Sequence, residues 1–248
     1  MDNAMMIGLS RQMTLRRSLD VVANNIANAN TAGFKVESLL LEAAPAHTAE
    51  HSDGPADVQF VNTWGMARDF RQGELDFSGR PLDVAIEGEG FFAVEVNGNE
   101  QYTRDGRFQL DANGQLVAGD GAPVLDAMTR SPILTDPAGG EIAVVEGGAV
   151  MQGGAEIGRI GVFDIANLSG LEKTGNGRYI RTGGDGFDEP EALLNPTVRQ
   201  GYVESSNVSA VLELTEMMNI MRSYQSVSKF LKDAEDLNRR SIERLGRV

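Results

Sequence analysis

Two histidines four residues apart, His47 and His51, have the residue type and spacing that could bind a metal ion. The pentapeptide that begins and ends with these histidines reads His-x-x-Glu-His. Zinc peptidases place this pattern on a helix and complete the metal site with a further ligand. Here Pro45 and the run Asp53-Gly54-Pro55 bracket it, and the chain has no other histidine and no cysteine. The pattern therefore favours a solvated loop, and we expect no metal site and no cofactor.

Carboxylates are the second group that could do chemistry, because two of them placed across a sugar linkage can hydrolyse it. Four acids cluster in the stretch 183–191, namely Asp185, Asp188, Glu189 and Glu191. A sequence does not give the distance between two carboxylates, and a solvated acidic loop has the same composition. A carboxylate-based hydrolase stays an alternative, but we predict no catalytic residue and no enzyme activity.

Two glycine-containing motifs lack parts that a ligand loop needs. Gly88-Glu89-Gly90 has no third glycine and precedes a strand pattern, whereas a dinucleotide loop opens a helix. Asp111 to Gly114 puts glycine at the fourth loop position, whereas the calcium loop of an EF-hand needs it at the sixth. Both motifs are predicted to be turns.

The elements that must position these residues begin with a proline-free stretch, residues 3–28, which predicts a long helix. Its apolar residues recur at spacings of four, three and four, as a heptad stripe requires: Leu15, Leu19, Val22 and Ile26. Met6, Leu9 and Met13 form a second apolar strip. A helix with so wide an apolar face needs more than one neighbour.

The C-terminal region predicts a second helix, with Ser206 or Asn207 placed to cap it. It carries a stripe at spacings of three, four, three and four: Met217, Ile220, Tyr224, Val227 and Leu231. Leu214, Met218 and Met221 widen the face. Two wide stripes at opposite ends favour pairing of the helices, and we predict that the residues of both stripes form the subunit interface.

An asparagine-rich segment, from Asn24 to Asn30, spans the predicted end of the first helix. Asparagine side chains compete for backbone hydrogen bonds, so the segment predicts a helix end, with Gly33 in a left-handed conformation. Phe34 is then a lone apolar anchor.

All eight prolines lie between residues 36 and 207, and from Gly79 the apolar pattern changes to a period of two. Asn97-Gly98 and Asn113-Gly114 predict type I′ hairpin turns. The chain is divided into an N-terminal helical segment (1–35), a connector with a hinge or short strands (36–78), a β-rich centre (79–200) and a C-terminal helix (201–248). The predicted fold is α+β, with terminal helices that pair as a coiled-coil-like domain and a central all-β domain.

The net charge of −14 is unevenly distributed, since the two helical ends sum to +3 and the centre therefore carries −17. Phosphate binding needs clustered lysine and arginine, so this balance argues against nucleic acid. No apolar run is long enough to span a bilayer, and the first residues lack the pattern of a cleaved signal peptide. We expect neither membrane insertion nor signal-peptide export.

Three blocks of sequence resemble the flagellar axial protein family, which forms the rod and hook. The first block comprises Asn24, Asn25, Asn28, Thr31, Gly33, Phe34 and Lys35, and the second runs from Gly79 to Phe108. The third runs from Gly201 to Val208 and continues to Met218, Arg222 and Tyr224. After Tyr224 the chain departs from the hook and distal-rod pattern, which points to a proximal-rod member.

The resemblance implies a structural subunit of the basal-body rod that polymerises through its terminal helices into a torque-transmitting shaft. Its implied partners are copies of itself, other rod proteins and the type III export apparatus. Its implied location is the basal body in the periplasmic space, with proximity to peptidoglycan left open. The alternatives are a distal-rod or hook subunit and, from another class, a secreted β-domain binding module or the hydrolase considered above.

Overall fold

The computed structural model describes residues 2–45, 59–136, 138–182 and 189–245. His47, His51, Asp185 and Asp188 lie outside the described residues, so the interpretations placed on them stay predictions. The chain divides into two compact units. The first unit comprises Met1–Ala27, Val36–Asp69 and Val208–Val248, and the second comprises Asn28–Lys35 and Phe70–Asn207.

The described residues of the first unit form two helices and a two-stranded sheet, in the chain order α1 (Asp2–Ala27), β1 (Glu37–Pro45), β2 (Gln59–Arg68) and α2 (Ala210–Leu245). The helices have 26 and 36 residues. At ~1.5 Å per residue they are about 39 and 54 Å long. Helix α1 packs against α2 and against both strands.

The strands of the first unit are longer than we expected for residues 36–78. β1 has nine residues and β2 has ten, and they pair antiparallel over their full length. The register shifts between Leu40 and Leu41. A bulge of this kind interrupts the two-residue period, which is why the sequence pattern did not predict long strands.

The predicted end of the first helix is confirmed, whereas the predicted cap of the second is wrong. α1 ends at Ala27, and Gly33 has a φ of 66°. α2 begins at Ala210, too far along the chain for Ser206 or Asn207 to cap it. The Asn207 side-chain amide instead donates to the Arg71 carbonyl oxygen at 3.1 Å.

Fifteen short strands form the second unit, with helical structure limited there to two 3₁₀ turns among the described residues. They are β3 (Leu75–Phe77), β4 (Val84–Ile86), β5 (Phe91–Val96), β6 (Asn99–Thr103), β7 (Phe108–Leu110), β8 (Leu116–Ala118), β9 (Ile142–Val144), β10 (Ala149–Gln152), β11 (Ala155–Arg159), β12 (Val162–Asp164), β13 (Leu171–Gly175), β14 (Arg178–Arg181), β15 (Glu191–Ala192), β16 (Val198–Gln200) and β17 (Tyr202–Glu204).

These strands pair antiparallel in several small sheets. The largest has the order β13-β14-β6-β5-β12-β15, a second has the order β11-β10-β9, and β16-β4, β17-β3 and β7-β8 form two-stranded sheets. Strand β5 contributes Phe92 and Val94 to one apolar cluster and Phe91 and Ala93 to another. Side chains alternate between the two faces of a strand, so β5 is buried on both faces.

Only one of the two predicted type I′ turns is present. Asn97 and Gly98 both have positive φ, 52° and 77°, as that turn requires. In the second loop Gly114 is positive at 77° but Asn113 is not. The Asp111 carboxylate accepts from the backbone N–H of Asn113 at 2.9 Å and of Gln115 at 2.7 Å, which fixes a longer loop. The chain does turn at Asn113-Gly114 between β7 and β8, as predicted, but the predicted type I′ geometry is wrong there.

Candidate assembly interface

Helices α1 and α2 pack antiparallel within the first unit. Residue 8 lies against Leu231, since a methyl group added at Gly8 would be 2.6 Å from Leu231 Cδ2. Further along α1, the Gln12 side-chain amide donates to Ser228 Oγ at 3.0 Å. Positions along α1 thus meet progressively earlier positions along α2, and Gly8 permits a close approach.

The two predicted heptad stripes are the protected sides of the two helices. Val22 and Ile220 are buried at 7% exposure, and the other seven members are half-buried: Leu15, Leu19, Ile26, Met217, Tyr224, Val227 and Leu231. The additional apolar strips are between 47% and 55% exposed, and they comprise Met6, Leu9 and Met13 on α1 with Leu214, Met218 and Met221 on α2. We call these six residues the outer strips. The helix pair therefore leaves apolar surface open to solvent.

Asn25 is a buried polar residue that ties α1 to its neighbours in the first unit. Its side-chain amide donates to the Glu37 carbonyl oxygen at 2.8 Å and to Glu213 Oε2 at 3.0 Å. Its Oδ1 accepts from the Glu37 backbone N–H at 3.0 Å. With 1% exposure, Asn25 joins β1 and α2 to α1 through three hydrogen bonds, of which the two to Glu37 are buried, whereas the neighbouring Asn24 is exposed.

The rest of the first sequence block lies in the second unit. Thr31 closes a turn by donating its backbone N–H to the Asn28 carbonyl oxygen at 3.0 Å. Phe34 is 3% exposed, and Lys173 Nζ lies 4.5 Å from the centre of its ring. Phe34 is thus a buried anchor, as predicted from the sequence.

Lys35, Arg104 and Glu204 form a buried group that we call the charge cluster. Lys35 Nζ lies 2.6 Å from Glu204 Oε1, and their side chains are 0% and 1% exposed. Arg104 Nη1 lies 3.3 Å from Glu204 Oε2. Burial lowers the pKa of Arg104, and the negative charge of Glu204 opposes that shift. Two cations share one carboxylate, and hydrogen bonding to neighbouring backbone offsets part of their desolvation.

Sequence reasoning missed Arg104 and Glu204 as members of this cluster. Both lie in the quoted sequence blocks, but the sequence places Glu204 in the C-terminal helical segment 201–248, whereas it lies in strand β17. No local signal singles them out, since Arg104 stands beside Asp105 and close to Arg107 in the sequence. Charge alone does not say which residues meet.

The second unit also contains a cleft of about 450 Å³ that could be considered for catalysis. Three arginines line it, and each is paired with a carboxylate: Arg80 with Asp83, Arg107 with Asp105, and Arg178 with Asp120. Within the described ranges, no three His, Cys, Asp or Glu residues are grouped so that they could hold a metal ion. Each arginine of the cleft is therefore already neutralised by a neighbouring carboxylate.

Three protein-family models match the chain, in the same order as the three sequence blocks. The model described as "Flagella basal body rod protein" matches residues 5–35, and "Flagellar hook protein FlgE/F/G D1 domain" matches residues 85–152. The model described as "Flagellar basal body rod FlgEFG protein C-terminal" matches residues 199–244.

Full-length relatives decide the family. The flagellar basal-body rod protein FlgF of Caulobacter vibrioides is 46% identical over 248 residues, 100% of both chains. The chain belongs to the flagellar basal-body rod protein family. FlgF of Rhizobium meliloti is 32% identical over 99% of both chains, and FlgG of Bacillus subtilis is 31% identical over 93% of this chain and 94% of its own. Within this family the chain is most like FlgF.

The matches give the charge cluster a place in the family's sequence. Lys35, Arg104 and Glu204 each lie within a different one of the three matched stretches. The helices of this rod-family chain, as far as the structure describes them, contain no stretch long and apolar enough to cross a bilayer.

Proposed function

We propose that this chain is a structural subunit of the flagellar basal-body rod, most like the proximal-rod protein FlgF. It polymerises through its terminal helices into a helical shaft that transmits motor torque. The names of its full-length relatives support the rod assignment. The shorter match to FlgG makes a distal-rod role the weaker alternative.

The outer strips are the observation that carries the assembly mechanism. α1 and α2 bury their heptad stripes within the subunit, yet about half of each outer-strip side chain stays exposed. Burying the exposed half of one Leu or Met side chain contributes on the order of 1 kcal/mol. Six such side chains per subunit therefore favour packing of helices from neighbouring subunits against the outer strips.

The sequence-derived segments take separate roles in this proposal. Helices α1 and α2 of the terminal segments 1–35 and 201–248 form the coiled-coil-like shaft, the connector 36–78 supplies β1 and β2, and the acidic segment 79–200 takes no part in the shaft. The partners are further copies of the chain and other rod proteins. The subunit reaches the periplasmic basal body through the type III export apparatus, and its role as a coupling element needs no catalytic group.

A substitution in the outer strips tests this mechanism. Met13→Glu puts a charge on a side chain that is 55% exposed. The free subunit should unfold within about 0.5 kcal/mol of the original, because surface changes on a helix cost little. Basal bodies purified from cells that carry the variant should lack the protein, and the cells should not swim.

Met13→Leu is the matched control, since it keeps an apolar side chain of similar size and helix propensity. Cells with Met13→Leu should assemble the rod and swim. The same substitution is made separately at Leu9 and at Met218. If all three glutamate variants are incorporated normally, the outer strips are not assembly surfaces.

A further inference from the structure

The charge cluster connects three segments of the second unit that are distant in sequence. Lys35 Nζ donates to the Arg71 carbonyl oxygen at 2.7 Å as well as to Glu204. Glu204 Oε1 also accepts from the Gly73 backbone N–H at 3.0 Å, and the Glu204 carbonyl oxygen accepts from the Gly33 backbone N–H at 2.8 Å. Residues 33–35, 71–73 and 204 are thus linked by directional hydrogen bonds.

These segments are also where the chain leaves the second unit. The unit consists of Asn28–Lys35 and Phe70–Asn207, so Lys35 and Asn207 are terminal residues of its two pieces and Phe70 is the first residue of the longer piece. The Asn207 backbone N–H donates to the Phe34 carbonyl oxygen at 3.4 Å. Three of the unit's four chain ends, at Lys35, Phe70 and Asn207, thus lie beside segments that the charge cluster joins, so a pull through β1, β2 or α2 enters the unit there.

The strands at these entry points are weak by themselves. β3 and β17 pair with each other through only three residue pairs. Two strands of this length are not stable without further packing. Interactions outside this pair of strands must therefore help to keep β3 and β17 together when force is applied to the chain.

We propose that the charge cluster is a mechanical anchor that holds segments 33–35, 71–73 and 204–207 together, so that β3 and β17 stay paired when the chain is loaded. This rests on the proposed rod function and adds a positioning site to it. A buried ion pair contributes little net stability compared with apolar side chains of the same volume. Its directional hydrogen bonds to three segments are what an apolar cluster would not supply.

The test is amide hydrogen exchange on the purified full-length chain with Lys35→Met, which keeps the length of the side chain but removes its donor. Because opening of the anchored segments exposes their amides, exchange at Gly33 and Gly73 should be about tenfold faster or more. Exchange at Ala93, whose N–H bonds to the Gly161 carbonyl oxygen in the core, should not change. Unchanged exchange at Gly33 and Gly73 would overturn the proposal.

Lys173→Met is the control, because Lys173 lies against the Phe34 ring of the same segment and is not a member of the charge cluster. It should leave the Gly73 amide as protected as in the original chain. A control as disruptive as Lys35→Met would show a general loss of packing and would refute a specific anchor.

A triple variant separates anchoring from simple core filling, and it decides the question if Lys35→Met does not fold. Lys35→Met, Arg104→Met and Glu204→Leu together replace the charges by apolar side chains, so thermal stability should be retained. Exchange at Gly33, whose N–H keeps its backbone acceptor at Glu204 in this variant, should still rise by about tenfold, and cells should swim poorly in viscous medium. If the triple variant exchanges its amides at the same rates as the original chain and its cells swim fully in viscous medium, the anchor is refuted. Because exchange is measured on the free subunit, failure of the rod proposal would leave this result intact.

Discussion

Gly33 lies directly against the backbone of Arg104. A methyl group added at Gly33 would be 2.6 Å from the Arg104 carbonyl carbon, and the Gly33 φ of 66° is one that L side chains rarely adopt. Backbone atoms cannot move aside as the end of a flexible side chain can. The position therefore requires glycine for two separate reasons.

Gly33→Ala should lower the free energy of unfolding by about 3 kcal/mol or more, from left-handed strain of about 1–2 kcal/mol plus the clash. Urea unfolding of the purified chain measures this. Gly98→Ala is the control, because Gly98 has a φ of 77° but no atom within 4 Å of an added methyl group. Gly98→Ala should lower the free energy of unfolding by the left-handed strain alone. Equal decreases for the two variants would contradict the close approach of Gly33 to the Arg104 backbone.

Asn25→Leu should destabilise the first unit by about 2–4 kcal/mol, because the buried N–H and C=O of Glu37 would both lose a partner. Urea unfolding followed by helical circular dichroism reports this change. Ala23→Leu, at an exposed position two residues earlier on α1, should stay within about 0.5 kcal/mol of the original. If Asn25→Leu is equally mild, the three hydrogen bonds do not hold α1 in place.

Leu231→Asp should weaken the helix pair by about 2 kcal/mol, because it removes an apolar contact at Gly8 and puts a carboxylate in a half-buried position. The second unit should keep its unfolding transition, as followed by exchange at Ala93, and cells should not swim. Lys232→Glu changes the neighbouring, exposed residue and should be tolerated. Normal swimming with Leu231→Asp would refute the assigned stripe.

Tyr102 should make the chain sensitive to alkaline pH. Burial raises its pKa well above 10.0, and the charge of Glu100 and a 2.9 Å hydrogen bond to it act in the same direction. The Tyr102 side chain stays neutral in the folded chain but ionises in the unfolded chain. Its contribution to the free energy of unfolding is therefore fully present below pH ~10 and is lost as the pH rises further.

Urea unfolding of the original chain and of Tyr102→Phe at about pH 8 and pH 11 measures the effect. Between the two values the original chain should lose about 1 kcal/mol more than the variant, since one pH unit corresponds to ~1.4 kcal/mol for one proton. A parallel fall in both chains would mean that Tyr102 does not titrate differently in the folded and unfolded states.

The features that the sequence predicted well are local ones. A heptad spacing selects one side of a helix, and in both helices the predicted side is the protected one. Gly33 and the Asn97-Gly98 turn were predictable because a positive φ is strongly tied to residue type. Each of these depends on residues within one or two turns of the chain.

The predictions that failed depend on partners elsewhere. Asn207 had the residue type of a helix cap, but its amide bonds to Arg71 instead. The length of β1 and β2 depends on their pairing with each other. The register shift between Leu40 and Leu41 interrupts the alternation by which the sequence pattern would have indicated long strands. Local propensity cannot decide between bonding partners that lie far apart in the chain.

The sequence by itself determined the two long helices, the β-rich centre, the two apolar stripes and the family resemblance, because spacing and short-range backbone preferences suffice for these. Only the tertiary structure decided the charge cluster, since Glu204 is 169 residues from Lys35 and 100 from Arg104. The chain has 36 acidic and 22 basic side chains, any of which could pair by charge alone. Which of them lose their water and meet is fixed by the packing of strands and turns around them, because a buried charge is tolerated only where partners are already in place.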